Sequence, residues 1–130
     1  MKNSKNCLLG YTYTFEEGKK ARNERKLLTL RIETSLACNM KCLYCAWDSG
    51  IPLDDEIDFE DLVRFIDEGL ELGIKSVVII GGGEPTIYRH FRELVSYIHS
   101  KSLIPVVITN GLTMNNNLAK FLYLSLIHIS

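Results

Sequence analysis

The stretch Ser76-Val77-Val78-Ile79-Ile80-Gly81-Gly82-Gly83-Glu84-Pro85 decides the fold. Val77 to Ile80 is an unbroken β-branched run without the alternation of a half-wetted strand, the pattern of a strand covered on both faces in a parallel sheet. The glycines and the proline then stop the strand and turn the chain. Upstream, Phe59, Leu62, Val63, Phe65, Ile66, Leu70 and Leu72 recur at helical spacing. Asp58 and Asp61 supply a capping signal before them, and Gly73 stands where a left-handed residue ends a helix. Downstream, Phe91, Leu94, Val95 and Ile98 mark the buried face of a helix over residues 89–101.

The same unit recurs on either side. Residues 27–33 (LLTLRIE) are a β-prone run, followed by a loop rich in Asn, Asp, Ser, Gly and Pro. Residues 104–109 (IPVVIT) form a third strand, with Pro105 near its start where a missing N–H is tolerated. A further helix starts near Asn117 and runs towards Leu126. Three β-loop-α units in succession predict an α/β fold with a parallel sheet and right-handed crossovers. Working residues of such folds lie in the loops at the carboxyl ends of the strands. The loop after the first strand, which carries Cys38, Cys42 and Cys45, the glycine loop and Thr109-Asn110-Gly111 all hold that position. Residues 1–26 read as an N-terminal extension, in which Tyr11, Tyr13 and Phe15 alternate as a short strand would.

A chain of 130 residues fits one domain, and a net charge of −1 leaves no electrostatic footprint for nucleic acid. The one basic stretch, Lys19 to Lys26, is interrupted by Glu24 and reads as a solvated face. No apolar run approaches the roughly 18 residues of a membrane span. The first ten residues lack the apolar segment of a signal peptide, so no membrane partner is expected and the cytoplasm is the expected compartment. Disulfides are rare there, and clustered cysteines bind metal or do redox chemistry.

Cys38-x-x-x-Cys42-x-x-Cys45 sets three soft thiolates close together on a flexible loop, suited to an iron–sulfur cluster, zinc or Cu(I). Structural zinc wants four protein ligands, and a fourth could come only from afar, for example from Cys7. Ferredoxin runs use a fourth cysteine, often followed by proline, which this loop lacks. Three cysteines on a cubane leave one iron open, as a catalytic metal requires. The triplet Gly81-Gly82-Gly83 allows positive φ and close approach of a ligand, and it matches neither the dinucleotide fingerprint nor the phosphate loop. His90, His99 and His128 form no catalytic constellation. Trp47 and Asp48 follow the cluster loop and are candidates to line a cavity.

The cysteine spacing, with Tyr44 as the aromatic residue before Cys45, resembles the hallmark of the radical S-adenosylmethionine (SAM) superfamily. Gly82-Gly83-Glu84-Pro85 resembles that family's second motif, one helix and one strand further on. Thr109-Asn110-Gly111 is similar to a segment after the third strand in the branch of molybdenum-cofactor biosynthesis protein A and the SPASM-type enzymes. The resemblance implies a [4Fe–4S] cluster on Cys38, Cys42 and Cys45. It implies SAM held by its amino group at Gly82, Gly83, Glu84 and Pro85, with adenine near Tyr44 and contacts from Thr109 and Asn110. Glu84 suits an ammonium headgroup, as a carboxylate does. The implied reaction is reductive cleavage of SAM to a 5′-deoxyadenosyl radical and hydrogen abstraction from a small-molecule or peptide substrate, with flavodoxin or ferredoxin as electron donor.

The resemblance covers roughly residues 27–118, three β/α units of the six in a partial (β/α)6 barrel. Residues 27–130 are therefore expected to be a truncated core. The tail over residues 124–130 is similar to translated sequencing-adapter read-through, and turnover by the 130-residue chain alone is not expected.

Overall fold

The computed structural model describes residues 13–126; Cys7, Tyr11 and the tail residues 127–130 lie outside them. Three strands, β1 (Thr29–Ile32), β2 (Ser76–Ile79) and β3 (Ile104–Val107), form one parallel sheet in the order β1-β2-β3. Thr29 pairs with Ser76 and Ser76 with Ile104, so the three strands start level. All four residues of β2 are buried, as its apolar run predicts.

Alternation along the strands divides the sheet into two faces. Leu30 and Ile32, Val77 and Ile79, and Val107 share one face and meet the helices α2 (Phe59–Glu71), α3 (Phe91–Ser100) and α4 (Asn116–Leu126). Leu62 and Ile66 of α2, Leu94, Val95 and Ile98 of α3, and Leu118 and Leu122 of α4 complete the core. Burial of each large aliphatic side chain contributes roughly 1.5–3 kcal/mol, so this face dominates the stability. Pro105 is tolerated for a geometric reason. Ile104 and Ile108 donate into the β2 side, to Lys75 and Ile79 carbonyls, and the intervening nitrogen of Pro105 faces the outer edge.

Residues 13–26 depart from expectation. The aromatic alternation forms no strand over the described residues; Phe15 instead opens α1 (Phe15–Asn23). Thr14 and Glu17 make a full capping box, with Thr14 Oγ1 accepting from Glu17 N at 3.2 Å and Glu17 Oε2 from Thr14 N at 2.8 Å. Two donors satisfied at once outweigh a three-residue aromatic pattern. Tyr13 secures this segment at the amino ends of the strands: its hydroxyl donates to Leu28 O at 2.8 Å and lies 2.9 Å from Ser76 Oγ. The opposite end of the sheet remains for the loops.

Other boundaries shift by a residue or two. Asp58 is the N-cap of α2 by backbone geometry, but its side chain makes no capping bond. Gly73 has φ +92°, as a helix-terminating glycine should. The second helix starts at Phe91 rather than Arg89, because Pro85–Ile87 take a 3₁₀ turn first.

Leu94 is fully buried at the centre of the core, whereas Phe15 is 82% exposed. Leu94→Ala is expected to cost about 2–5 kcal/mol in denaturant unfolding. Phe15→Ala should stay within about 0.5 kcal/mol of the parent in the same experiment.

Candidate functional site

The loop from β1 to α2 carries the three cysteines. Its first turn is closed by a parallel bridge between Ala37 and Gly50, with Gly50 N donating to Leu36 O at 2.9 Å and Cys38 N to Gly50 O at 3.4 Å. A turn from Cys45 N to Cys42 O, 3.1 Å, spans the C-x-x-C half of the motif. Ser49 Oγ lies 3.1 Å from Cys45 Sγ. This hydroxyl above all, and then the N–H groups of Ser49 and Trp47, holds the Cys45 thiol below its ordinary pKa. A depressed pKa favours thiolate, the form that binds metal. Leu43 and Tyr44 project from the loop tip, almost fully exposed.

The glycine loop lies directly under this segment. Gly83 N donates to Ser35 O at 2.9 Å and Glu84 N to Ala37 O at 2.8 Å, so the two loops pair as short strands do. A Cβ on Gly83 would sit 2.0 Å from Ala37 O, and one on Gly82 would sit 2.3 Å from Leu36 Cδ2. Those contacts lie far inside van der Waals separation. The expected positive φ does not occur at Gly81, Gly82 or Gly83. What the two later glycines accommodate at close range is the backbone and side chain of the cysteine loop.

Glu84 is 4% exposed and spends most of its acceptor capacity within the protein. Oε1 accepts from Thr86 N at 3.0 Å, from the Thr86 hydroxyl, and from Thr109 Oγ1 at 2.6 Å. Oε2 accepts from Asn110 N at 2.7 Å. Burial pushes the carboxyl upward, but the bonds from Asn110, Thr109 and Thr86 outweigh it and hold the pKa below the ordinary value. Asn110 Nδ2 continues the chain of bonds to Asn39 Oδ1 at 2.9 Å, and Thr86 meets Thr113. Cysteine loop, glycine loop and β3 loop are thus joined by one polar network.

These loops line an open cavity of about 440 Å³ at the carboxyl ends of the strands. Cys38, Cys42, Cys45, Tyr44, Gly82, Gly83, Glu84, Thr109 and Asn110 all line it, with Trp47, Ile80 and Ile108 as apolar wall. The volume falls within the range of about 300–1,000 Å³ typical of small-molecule sites. Pro85 is buried and opens the 3₁₀ turn rather than lining the cavity. His90 stands apart, stacked on Phe59 with ring centroids at 4.9 Å and its Nδ1 3.0 Å from Glu93 Oε2. Among the described residues, no three His, Cys, Asp or Glu side chains converge on a single ion position. A cubane, unlike zinc, takes each cysteine on a different iron.

The match to family models is to the Radical SAM superfamily, over residues 32–130. The chain belongs to the radical SAM superfamily. Among its relatives, Fe-coproporphyrin III synthase of Methanosarcina barkeri is 34% identical over 84 residues, 64% of this chain and 21% of that protein. A probable GTP 3′,8-cyclase of Methanothermobacter marburgensis is 32% identical over 97 residues, 75% of this chain and 32% of the relative. The fold is similar to that of Streptococcus suis SuiB bound to S-adenosylmethionine, with a TM-score of 0.62 and 20% identity over 90% of this chain and 30% of SuiB. The chain therefore spans about a fifth to a third of the length of these relatives. The three strands form the radical SAM parallel sheet, and among the described residues no helix is long and apolar enough to cross a membrane.

Sequence reasoning did not single out Asn39, Ser49, Glu56, Thr86 or Thr113. Asn39, Glu56 and Thr113 act through hydrogen bonds to residues distant in sequence, and Ser49 and Thr86 through local turns, none of which residue type alone marks.

Gly83→Ala must displace the Ala37 carbonyl, and is expected to cost about 1–3 kcal/mol in denaturant unfolding and to reduce metal loading. Glu84 predicts an acid dependence. Its folded pKa lies below the unfolded value, so its stabilisation is complete above the ordinary glutamate value of about 4.3 and is lost as pH falls below it. Glu84→Gln should lose about 1–3 kcal/mol at pH 7 and show a shallower decline of the urea midpoint between pH 5 and pH 3.

Proposed function

We propose that the three-loop cavity binds a [4Fe–4S] cluster on Cys38, Cys42 and Cys45 and SAM beside it, as the core of a radical SAM enzyme. The observation that carries this is that Cys38, Cys42, Cys45 and the Gly82-Gly83-Glu84 segment, on loops far apart in sequence, line one cavity. When bound, cluster and SAM supply the one-electron chemistry that yields a 5′-deoxyadenosyl radical for hydrogen abstraction from a substrate.

The chain's own residues hold and orient. The cysteines supply three thiolate ligands, and Ser49 provides a hydrogen-bonding group to the Cys45 sulfur, a contact of the kind that tunes cluster potential. Gly82 and Gly83 line the cavity as a backbone ledge, packed against the cysteine loop, that would hold the headgroup of SAM. Glu84 places that ledge, and Oε2, which accepts a single bond within the protein, retains acceptor capacity that would suit an ammonium group. Tyr44, Ile80 and Ile108 offer the flat and apolar surface that suits adenine. Thr109 and Asn110 act chiefly by holding Glu84 and Asn39. Residues 27–130 are proposed as a core unit with residues 1–26 as an extension. A reducing compartment, the cytoplasm, and a flavodoxin- or ferredoxin-type donor suit cluster chemistry. The substrate is proposed to be a small molecule, as the names Fe-coproporphyrin III synthase and GTP 3′,8-cyclase suggest, or a peptide.

Anaerobic reconstitution with iron and sulfide, followed by metal analysis, tests the ligand set. The expected product is brown, carries the iron and sulfide of one cubane per chain, and retains SAM in equilibrium dialysis. Replacement of Cys38, Cys42 or Cys45 by serine should abolish both. A colourless zinc protein, or SAM retention independent of the cysteines, would overturn the proposal.

A further inference from the structure

Glu56 has no place in the cavity, yet one of its oxygens receives both ends of the cysteine loop. Oε1 accepts from Leu36 N at 2.8 Å, from Ser35 Oγ at 3.0 Å and from Leu53 N at 3.0 Å. Leu36 lies two residues before Cys38, and Leu53 lies beyond Cys45 where the loop ends. Burial pushes the Glu56 carboxyl up, but these three donors outweigh it and keep it ionised.

The grip propagates towards the cysteines and towards the glycine loop. Ser35 Oγ, oriented by its bond to Glu56, accepts from Ala37 N at 2.9 Å. The Ser35 and Ala37 carbonyls are the acceptors for Gly83 N and Glu84 N. Leu36 O takes Gly50 N, which closes the turn around Cys38. Glu56 itself lies two residues before Asp58, the N-cap of α2, whose Leu62 and Ile66 are fixed in the core. The carboxylate therefore references a long irregular loop to a rigid helix, the support that a preorganised site needs. Gathering both loop ends on one charged acceptor also removes much of the loop's conformational freedom.

We propose that Glu56 is the positioning residue of the cluster loop, which sets the spacing of Cys38 relative to Cys42 and Cys45 and holds the loop against the glycine segment. This rests on the cluster assignment made above. Glu56 touches neither thiol nor the cavity, so it acts through the backbone of residues 35–37.

The test compares Glu56→Ala, Glu56→Gln and Ser35→Ala with the parent chain after anaerobic reconstitution, by iron content at limiting iron and by EPR of the reduced cluster. Glu56→Ala is expected to bind the cluster about tenfold more weakly, the effect typical of groups that orient metal ligands, and to broaden or shift the EPR signal of what remains. Glu56→Gln keeps an acceptor oxygen and should recover most of the loading and the parent line shape. Ser35→Ala removes one donor and should move both readouts in the same direction by less. A role confined to stability would lower the unfolding midpoint and leave the EPR signature of loaded protein unchanged. Parent-like loading and spectra in Glu56→Ala would overturn the proposal while leaving the cluster assignment intact. If Glu56→Ala does not fold, a Ser35→Ala variant indistinguishable from the parent overturns it instead. A parent chain that takes up no cluster overturns both together.

Discussion

Two backbone hydrogen bonds, from Gly83 to Ser35 and from Glu84 to Ala37, are the contact on which the rest of the site depends. They lay the cysteine loop against the glycine loop with no room for a β-carbon, since one on Gly83 would fall 2.0 Å from the Ala37 oxygen. Each bond is worth only about 1 kcal/mol net. Their importance is geometric: they fix the distance between the thiols and the ledge beside them. Because β1 and β2 are neighbours in register, both loops leave the sheet at the same level, and the pairing extends the parallel ladder past the ends of the strands.

Around that contact the carboxylates act as clasps. Glu84 joins the glycine loop to the β3 loop, and Glu56 joins the two ends of the cysteine loop to the start of α2. Each is ionised against the pull of burial because backbone N–H and hydroxyl donors surround it. The division of labour is chemical. Cysteines, apolar strand ends and glycine backbone line the cavity, while most of the carboxylate charge is spent inside the scaffold. A cavity kept this way can admit a cationic, partly apolar cofactor without competing for its own supports.

Much of this was legible in the sequence. The unbroken run Val77–Ile80 implied a doubly covered central strand, the cysteine spacing and Gly82-Gly83-Glu84-Pro85 marked the loops that meet, and the three-unit order implied which end of the sheet they share. Most of what escaped depends on hydrogen-bonding groups that only the fold brings together. Glu56 sits in a polar loop without periodicity, and its partners are N–H groups that carry no residue signature. Glu84 is read from its type as suited to an ammonium group, but its type does not reveal the donors from Thr86, Thr109 and Asn110 that the fold supplies. The glycines suggested positive φ or room for a ligand, but the neighbouring loop fills that room. Residues 14–17 carried a capping box in plain view, yet α1 is polar enough that the short aromatic alternation beside it was the louder signal.

The central claim is that the cavity joins an incompletely ligated cluster to a SAM-binding ledge. EPR of the reduced, cluster-loaded chain, recorded with and without SAM, tests it most directly. The account predicts that SAM changes the g-values and line shape, because its headgroup would occupy the iron that the three cysteines leave open. Superimposable spectra at saturating SAM, in a folded and fully loaded chain, would contradict it.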